Sequence, residues 1–209
     1  MRDIINFMEK FKESYNDYFK DNRLQKCKYG YTCDINQIYC YLNKIDIKKT
    51  EYYTFFKISK DFFDLKHKKI LEVCCGKIPI LSSIYKINKF DIHAIDNKIL
   101  IDNYYNIPTY KIDLNKNICL SKYDIIIGLR PCNPTEHILD LCLKHNKNFM
   151  IYLCPCIHNN SNHKQISNYE EWIIYLRKKL NNYKNYQITF YTSDKLPDKC
   201  PIIIGKYLK

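Results

Sequence analysis

The chain has 209 residues, 46% hydrophobic and 27% charged, with 34 Lys and Arg against 22 Asp and Glu for a net charge of +12. That length supports one domain that buries roughly 70% of its unfolded surface, and the composition excludes a disordered chain. The longest nearly apolar run, Phe149 to Ile157, falls well short of a membrane span, so no membrane association is expected.

The opening MRDIINFMEKFK has neither the continuous apolar stretch nor the small-residue cleavage site of a signal peptide, which makes the cytoplasm the expected location. Eleven cysteines, an odd number scattered through strand-like segments, read as reduced and mostly buried small side chains. Cys27, Cys33 and Cys40 lack paired CxxC knuckles, and no metal site is expected there. Residues 1 to 69 carry 15 basic and 10 acidic side chains, and the remainder 19 and 12. The positive excess is therefore spread out; it attracts acidic partners such as nucleic acid without forming a basic tail.

Residues 1–65 read as a helical extension or substrate cap, and 66–209 as the main domain. Ile4, Phe7, Met8, Phe11, Tyr15, Tyr18 and Phe19 recur at helical spacing. Asp34 and Gln37 have capping-box spacing ahead of Ile35, Ile38, Tyr39, Leu42 and Ile45, and Thr50 caps a third helix carrying Tyr53 and Phe56. Lys26, Lys28, Tyr29 and Tyr31 make a small basic-aromatic patch.

From Lys69 the pattern changes to short apolar runs separated by turns and helical stretches. KILEV runs into CCGKIP; Pro79 suits the first turn of a helix with Ile80, Leu81, Ile84 and Tyr85 on its apolar side. Further strands end at Asp96 (FDIHAI), Asp113 (TYKI), Arg130 (YDIIIGL) and Pro155 (NFMIYLC). A helix beginning at Thr135 places Ile138, Leu141 and Cys142 toward the sheet. Ser167 and Glu170 form another capping box, followed by a stripe of Tyr169, Trp172, Ile173, Leu176 and Leu180 that is expected in the core. Tyr186 to Tyr191 and Pro201 to Leu208 form an antiparallel pair. The predicted class is α/β, with a Rossmann-like, mostly parallel sheet and helices on both faces.

In such a sheet, ligands collect beyond the carboxyl ends of the strands, where Glu72 to Pro79, Asp96, Asp113, Arg130 to Thr135 and Pro155 to His158 converge. Of the four glycines, Gly76 lies at the first strand-to-helix turn and Gly128 precedes the fourth strand end, while Gly30 and Gly205 carry no functional signal. Asp96 follows Gly76 by 20 residues, a spacing at which a carboxylate accepts both ribose hydroxyls of a nucleoside cofactor.

Over residues 69–209 these motifs resemble the class I S-adenosylmethionine-dependent methyltransferases. Their E/D-x-G-x-G-x-G motif corresponds to Glu72-Val73-Cys74-Cys75-Gly76-Lys77-Ile78, with Cys74 and Ile78 where glycines are usual. The resemblance implies S-adenosyl-L-methionine as cofactor, with Glu72, Cys74 and Gly76 near its methionine portion. It further assigns Asp96 to the ribose, Asn97 and Lys98 to the adenine neighbourhood, Asp113 to adenine recognition, and Leu114 to backbone and apolar contact. A final strand running antiparallel between its neighbours is also implied.

A second, narrower resemblance is to an uncharacterised bacterial-like subgroup with a strand-four L-H-x-C motif and a cysteine-rich strand-five end. Here Arg130 stands for the histidine, Cys132 matches the cysteine, and Pro155-Cys156-Ile157-His158 matches the second motif. The N/D-P-P-Y/F motif of adenine amino-group methyltransferases is replaced by LRPC. His158 is the candidate general base, since histidine titrates near neutrality. Arg130, always protonated, is a candidate anion clamp or else a partner in a structural salt bridge, and Cys132 completes the candidate catalytic group. Asn133, Thr135 and Cys156 join Arg130 and His158 as candidate acceptor-binding residues.

The expected activity is methyl transfer to an unidentified acceptor, with RNA, a small molecule and a protein side chain all open. The alternatives are a noncatalytic RNA- or protein-binding module on the same scaffold and an NAD-dependent oxidoreductase. Oligomeric state is not readable from these residues.

Overall fold

A computed structural model describes residues 48, 50–100, 104–114, 118–155, 166, 168–196 and 199–208. The two helices expected before residue 46, the basic-aromatic patch at 26–31, and Cys27, Cys33 and Cys40 lie outside them.

The described elements are α1 (Glu51–Phe62), β1 (Lys69–Val73), α2 (Ile80–Ile87), β2 (Asp91–Asp96), β3 (Thr109–Lys111), β4 (Ile125–Leu129), α3 (Thr135–Lys144), β5 (Asn148–Tyr152), α4 (Tyr169–Asn181), β6 (Tyr186–Tyr191) and β7 (Ile202–Tyr207). The strands form one seven-stranded sheet in the order β3-β2-β1-β4-β5-β7-β6. Neighbours from β3 to β5 are parallel, while β7 runs antiparallel to both β5 and β6. The last strand is thus inserted between its two neighbours, as the family resemblance implies.

Strand alternation sorts the core into two layers. Ile70, Ile92, Ile125, Ile127, Met150 and Tyr152 face a layer built with α1 and α2. Leu71, Ile95, Ile126, Phe149, Ile151 and Ile203 face a layer built with α3 and α4. The runs are hydrophobic at nearly every position because both faces are covered. Tyr52, Phe55, Phe56 and Ile58 of α1 enter the first layer, so this helix shares the core of the sheet. Phe56 meets Tyr85 of α2 edge to face with centroids 4.9 Å apart, and the Tyr85 hydroxyl donates to Ser59 Oγ at 2.6 Å.

Three helix starts show how local chemistry fixes the boundaries. The Thr50 side chain accepts the Tyr53 N–H, as the sequence predicts for α1. For α2, Pro79 sits at the cap position and the helix begins one residue later. For α4, the Asn168 side chain is the cap and accepts the Glu171 N–H, which corrects the expected Ser167 and Glu170 box by one residue.

Two core assignments also change. In α3, Ile138, Leu139, Cys142 and Leu143 are buried and Leu141 only half-buried. In α4, Leu176 and Leu180 are buried, whereas Trp172 is half-buried at the margin, stacked on Tyr175 at 5.7 Å. An ion cluster joins this helix to α3: Lys179 lies 2.6 Å from Glu136 and 2.7 Å from Asp140, and the Tyr175 hydroxyl donates to Glu136. No described helix is long and apolar enough to cross a membrane.

Gly205, without signal in the sequence, has a packing role. It pairs with Phe149 across β7 and β5, and a Cβ placed on it would lie 2.2 Å from the Phe149 ring. Phe149 is fully buried, so the ring has little room to move. Gly205→Ala is expected to destabilise the fold by about 1–3 kcal/mol. Thermal melting should show a fall of roughly 3–10 °C; an unchanged midpoint would refute the steric argument.

Candidate active site

The strand order reverses between β1 and β4, and the segments leaving the carboxyl ends of β1, β2 and β4 build the site there. After β1 the chain turns sharply: Cys74 has φ 55° and Gly76 φ 76°, both in the left-handed region that favours glycine. Cys74 therefore keeps a glycine-like backbone where the family motif has glycine. The other departure, Ile78, points into the core and is fully buried. Both substitutions are absorbed without giving up the turn.

This turn is stitched to the end of β2 by three bonds. Cys75 N–H donates to Ile95 O at 3.2 Å, Leu100 N–H to Lys77 O at 2.9 Å, and Gly76 N–H to Asp96 Oδ2 at 2.8 Å. The other oxygen, Asp96 Oδ1, accepts Lys98 N–H at 2.7 Å. A carboxylate has about four acceptor positions, so each oxygen keeps capacity for one more donor. Asp96 is half-buried and Asn97 exposed.

Glu72, at the end of β1, is 3% exposed and faces inward. Its Oε2 accepts Ser82 N–H at 2.9 Å and also the Ser82 hydroxyl, tying β1 to α2. The residue expected beside the methionine portion thus braces the turn from behind through an oxygen already engaged. Burial pushes its carboxyl up to about 7; the Ser82 bonds oppose this, and the negative charge of Asp96 adds to it. Burial, with Asp96 again contributing, also holds the Cys74 and Cys75 thiols well above their ordinary value. They are poor nucleophiles.

Beyond β3, Ile112 N–H donates to Asp96 O at 3.2 Å, which sets Asp113 next to the Asp96 loop. Asp113 is half-buried. The Leu114 side chain is buried in the α3 layer of the core, and its carbonyl oxygen lies 3.0 Å from His137 Nε2.

The strand-four turn holds Arg130 at φ 54° and Cys132 at φ 58°. Arg130 is engaged within the protein. Its Nε and Nη2 donate to Glu51 Oε2 at 3.1 and 2.8 Å, and its guanidinium lies 4.9 Å from the centroid of the Tyr152 ring. With its side chain 5% exposed, it pins the first turn of α1 to the ends of β4 and β5, which is the structural ion pair among its two sequence readings. The Thr135 side chain is likewise turned inward. Its hydroxyl and N–H both donate to Cys132 O, at 2.7 and 3.1 Å, starting α3. Asn133 is exposed, and the half-buried Cys132 lies close enough to Cys74 to influence it electrostatically. Cys156 and His158 lie outside the described residues.

The sequence reading missed Glu51, Ser82 and His137. Their helices were legible, but each acts on a partner distant in the chain, and no local spacing signals that.

Glu72 supplies a pH test. Between about 4.5 and about 7 the folded chain keeps a proton that the unfolded chain has lost, so stability from this group falls as pH rises through that window. Glu72→Gln, which retains an acceptor for Ser82, should melt close to wild type at pH 4 and higher by at least about 3 °C at pH 8. A difference that does not grow with pH would contradict the buried-carboxyl assignment.

No family model and no curated protein sequence matches the chain. Among solved structures it is similar to the plantazolicin methyltransferase BpumL in complex with SAH, at 14% identity and a TM-score of 0.53, covering 96% of this chain and 100% of that one. The complex of BpumL with a triazolic desmethylPZN analog and SAH aligns at 15% identity and a TM-score of 0.52, covering 99% and 100%. At such identities the likeness is one of fold, and that fold is the Rossmann-like sheet of the S-adenosylmethionine-dependent methyltransferases.

Proposed function

We propose that the protein is an S-adenosylmethionine-dependent methyltransferase. The observation that carries this reading is Asp96: a carboxylate at the end of β2, locked by Gly76 and Lys98 N–H groups yet retaining one acceptor position on each oxygen, as a ribose diol requires. The BpumL structures, similar in fold, were solved with SAH, which supports the same cofactor class here.

In this reading Asp96 binds the ribose and Asn97 borders the adenine. Asp113 reads the adenine edge, with Leu114 offering backbone contact. Gly76 and the left-handed backbone at Cys74 let the chain approach the methionine portion, while Glu72 braces the turn from within. The bound sulfonium supplies an activated methyl group; the protein's part is to fix the reacting partners in line and keep water out. A strong base is not required for every acceptor.

On the acceptor side, Cys132 and Asn133 are presented by the strand-four turn, whose shape Arg130 and Thr135 hold from the interior. Arg130 acts as a positioning residue, through Glu51 and Tyr152. The acceptor is a nucleophile of unassigned class. The net charge of +12 makes RNA one class to test beside small molecules and proteins.

Two measurements test the cofactor reading. Calorimetry should show saturable binding of S-adenosylmethionine by the wild type, weakened at least about tenfold in Asp96→Ala through loss of two charge-assisted hydrogen bonds. Asp96→Asn, which keeps part of the acceptor capacity, should fall between them. Well-folded wild-type protein without such binding would end the proposal. Cys74→Gly, placing glycine at a left-handed position, should bind at least as tightly as wild type; a tenfold loss would show instead that the thiol side chain belongs to the site. Methyl-labelled cofactor incubated with separated RNA, protein and metabolite fractions would identify the acceptor class.

A further inference from the structure

We infer that His137 is a positioning residue for adenine recognition, acting through the carbonyl of Leu114. The inference rests on the cofactor reading above and adds a residue that neither the sequence motifs nor the fold assigns.

The paired part of β3 ends at Lys111, so the sheet ladder does not orient Asp113 and Leu114. Two ties do so instead. On one side, Ile112 N–H donates to Asp96 O at 3.2 Å, linking the adenine segment to the proposed ribose carboxylate. On the other, His137 Nε2 lies 3.0 Å from Leu114 O. A carbonyl oxygen only accepts, so Nε2 carries the proton in this contact. Both the Nε2–H tautomer and the imidazolium satisfy that demand, and protonation of the ring does not break the bond.

His137 itself is held at a defined place. It stands two residues beyond Thr135, whose hydroxyl and N–H close the strand-four turn on Cys132 O. The next residues, Ile138 and Leu139, are buried in the layer that also receives the Leu114 side chain. Leu114 is therefore fixed by its side chain in the core and by its carbonyl at His137. An exposed histidine is commonly solvated, but here it bridges 23 positions of sequence to a backbone group beside the proposed adenine reader. One consequence is that the acceptor turn and the adenine segment share a mechanical connection through the first turn of α3.

The test compares His137→Leu, which removes the donor, with His137→Gln, whose amide restores one. Calorimetry would use S-adenosylhomocysteine and S-inosylhomocysteine, which lacks the exocyclic amino group of adenine. His137→Leu should bind S-adenosylhomocysteine about fivefold more weakly, the size of one net hydrogen bond. The wild-type preference over S-inosylhomocysteine should narrow by a similar factor. His137→Gln should stay within about twofold of wild type in both respects. Wild-type affinity in His137→Leu would overturn the proposal. So would equal loss for both ligands, or a loss that Gln does not rescue, since either marks a general structural effect. If wild type binds neither ligand, the cofactor reading fails and this inference with it, an outcome distinct from failure of the variant alone.

Discussion

The Asp96 carboxylate accepts the Gly76 N–H through one oxygen and the Lys98 N–H through the other, and this double tie sets the geometry of the whole carboxyl edge. It joins the turn after β1 to the turn after β2, while the Asp96 carbonyl receives Ile112 N–H and so draws in the segment after β3. Glu72 and Ser82 add a brace beneath it between β1 and α2. A single residue, through its carboxylate and its carbonyl, thus ties three successive strand ends together. Charged acceptors paired with backbone donors are among the stronger hydrogen bonds, which suits a point where loops would otherwise move independently.

That constraint accounts for how the chain manages with few glycines. A non-glycine residue in the left-handed region costs of the order of 1–2 kcal/mol, and it persists only where surrounding bonds over-determine the backbone. Cys74 meets this condition, since the next two N–H groups are both tied to β2. At Ile78 the requirement is different: the chain has already turned inward, and a large apolar side chain adds to the core against α2. The motif glycines serve backbone shape, and here shape is held by hydrogen bonding in one case and by packing in the other.

The central strands and their ends were legible because strands buried on both faces leave continuous apolar runs, bounded by turn residues at Asp96 and Arg130, whereas the edge strand β3 is short and largely exposed. The insertion of β7 followed from the resemblance together with the paired terminal runs. What stayed hidden depends on contacts between distant segments. Arg130 resembles an anion clamp until Glu51, 79 positions earlier, is seen to occupy it. Gly205 has no signal until Phe149 is found opposite. Trp172 fits a core stripe by spacing, yet it is half-buried, on a helix that also meets α3 through the Lys179, Glu136 and Asp140 cluster. Spacing along one element reports its faces; it does not report which neighbour claims them.

The same distinction applies to charge. The net +12 is a property of the whole chain, whereas the carboxyl edge carries Asp96 at the end of β2, beside the buried Glu72, whose carboxyl is pushed up to about 7. At physiological ionic strength charges are screened over about 8 Å, so a group at this edge responds to the Asp96 carboxylate more than to distant lysines. A locally acidic edge and a net basic chain are therefore compatible in one molecule: the carboxylate acts at short range, and the net charge acts on what approaches from outside.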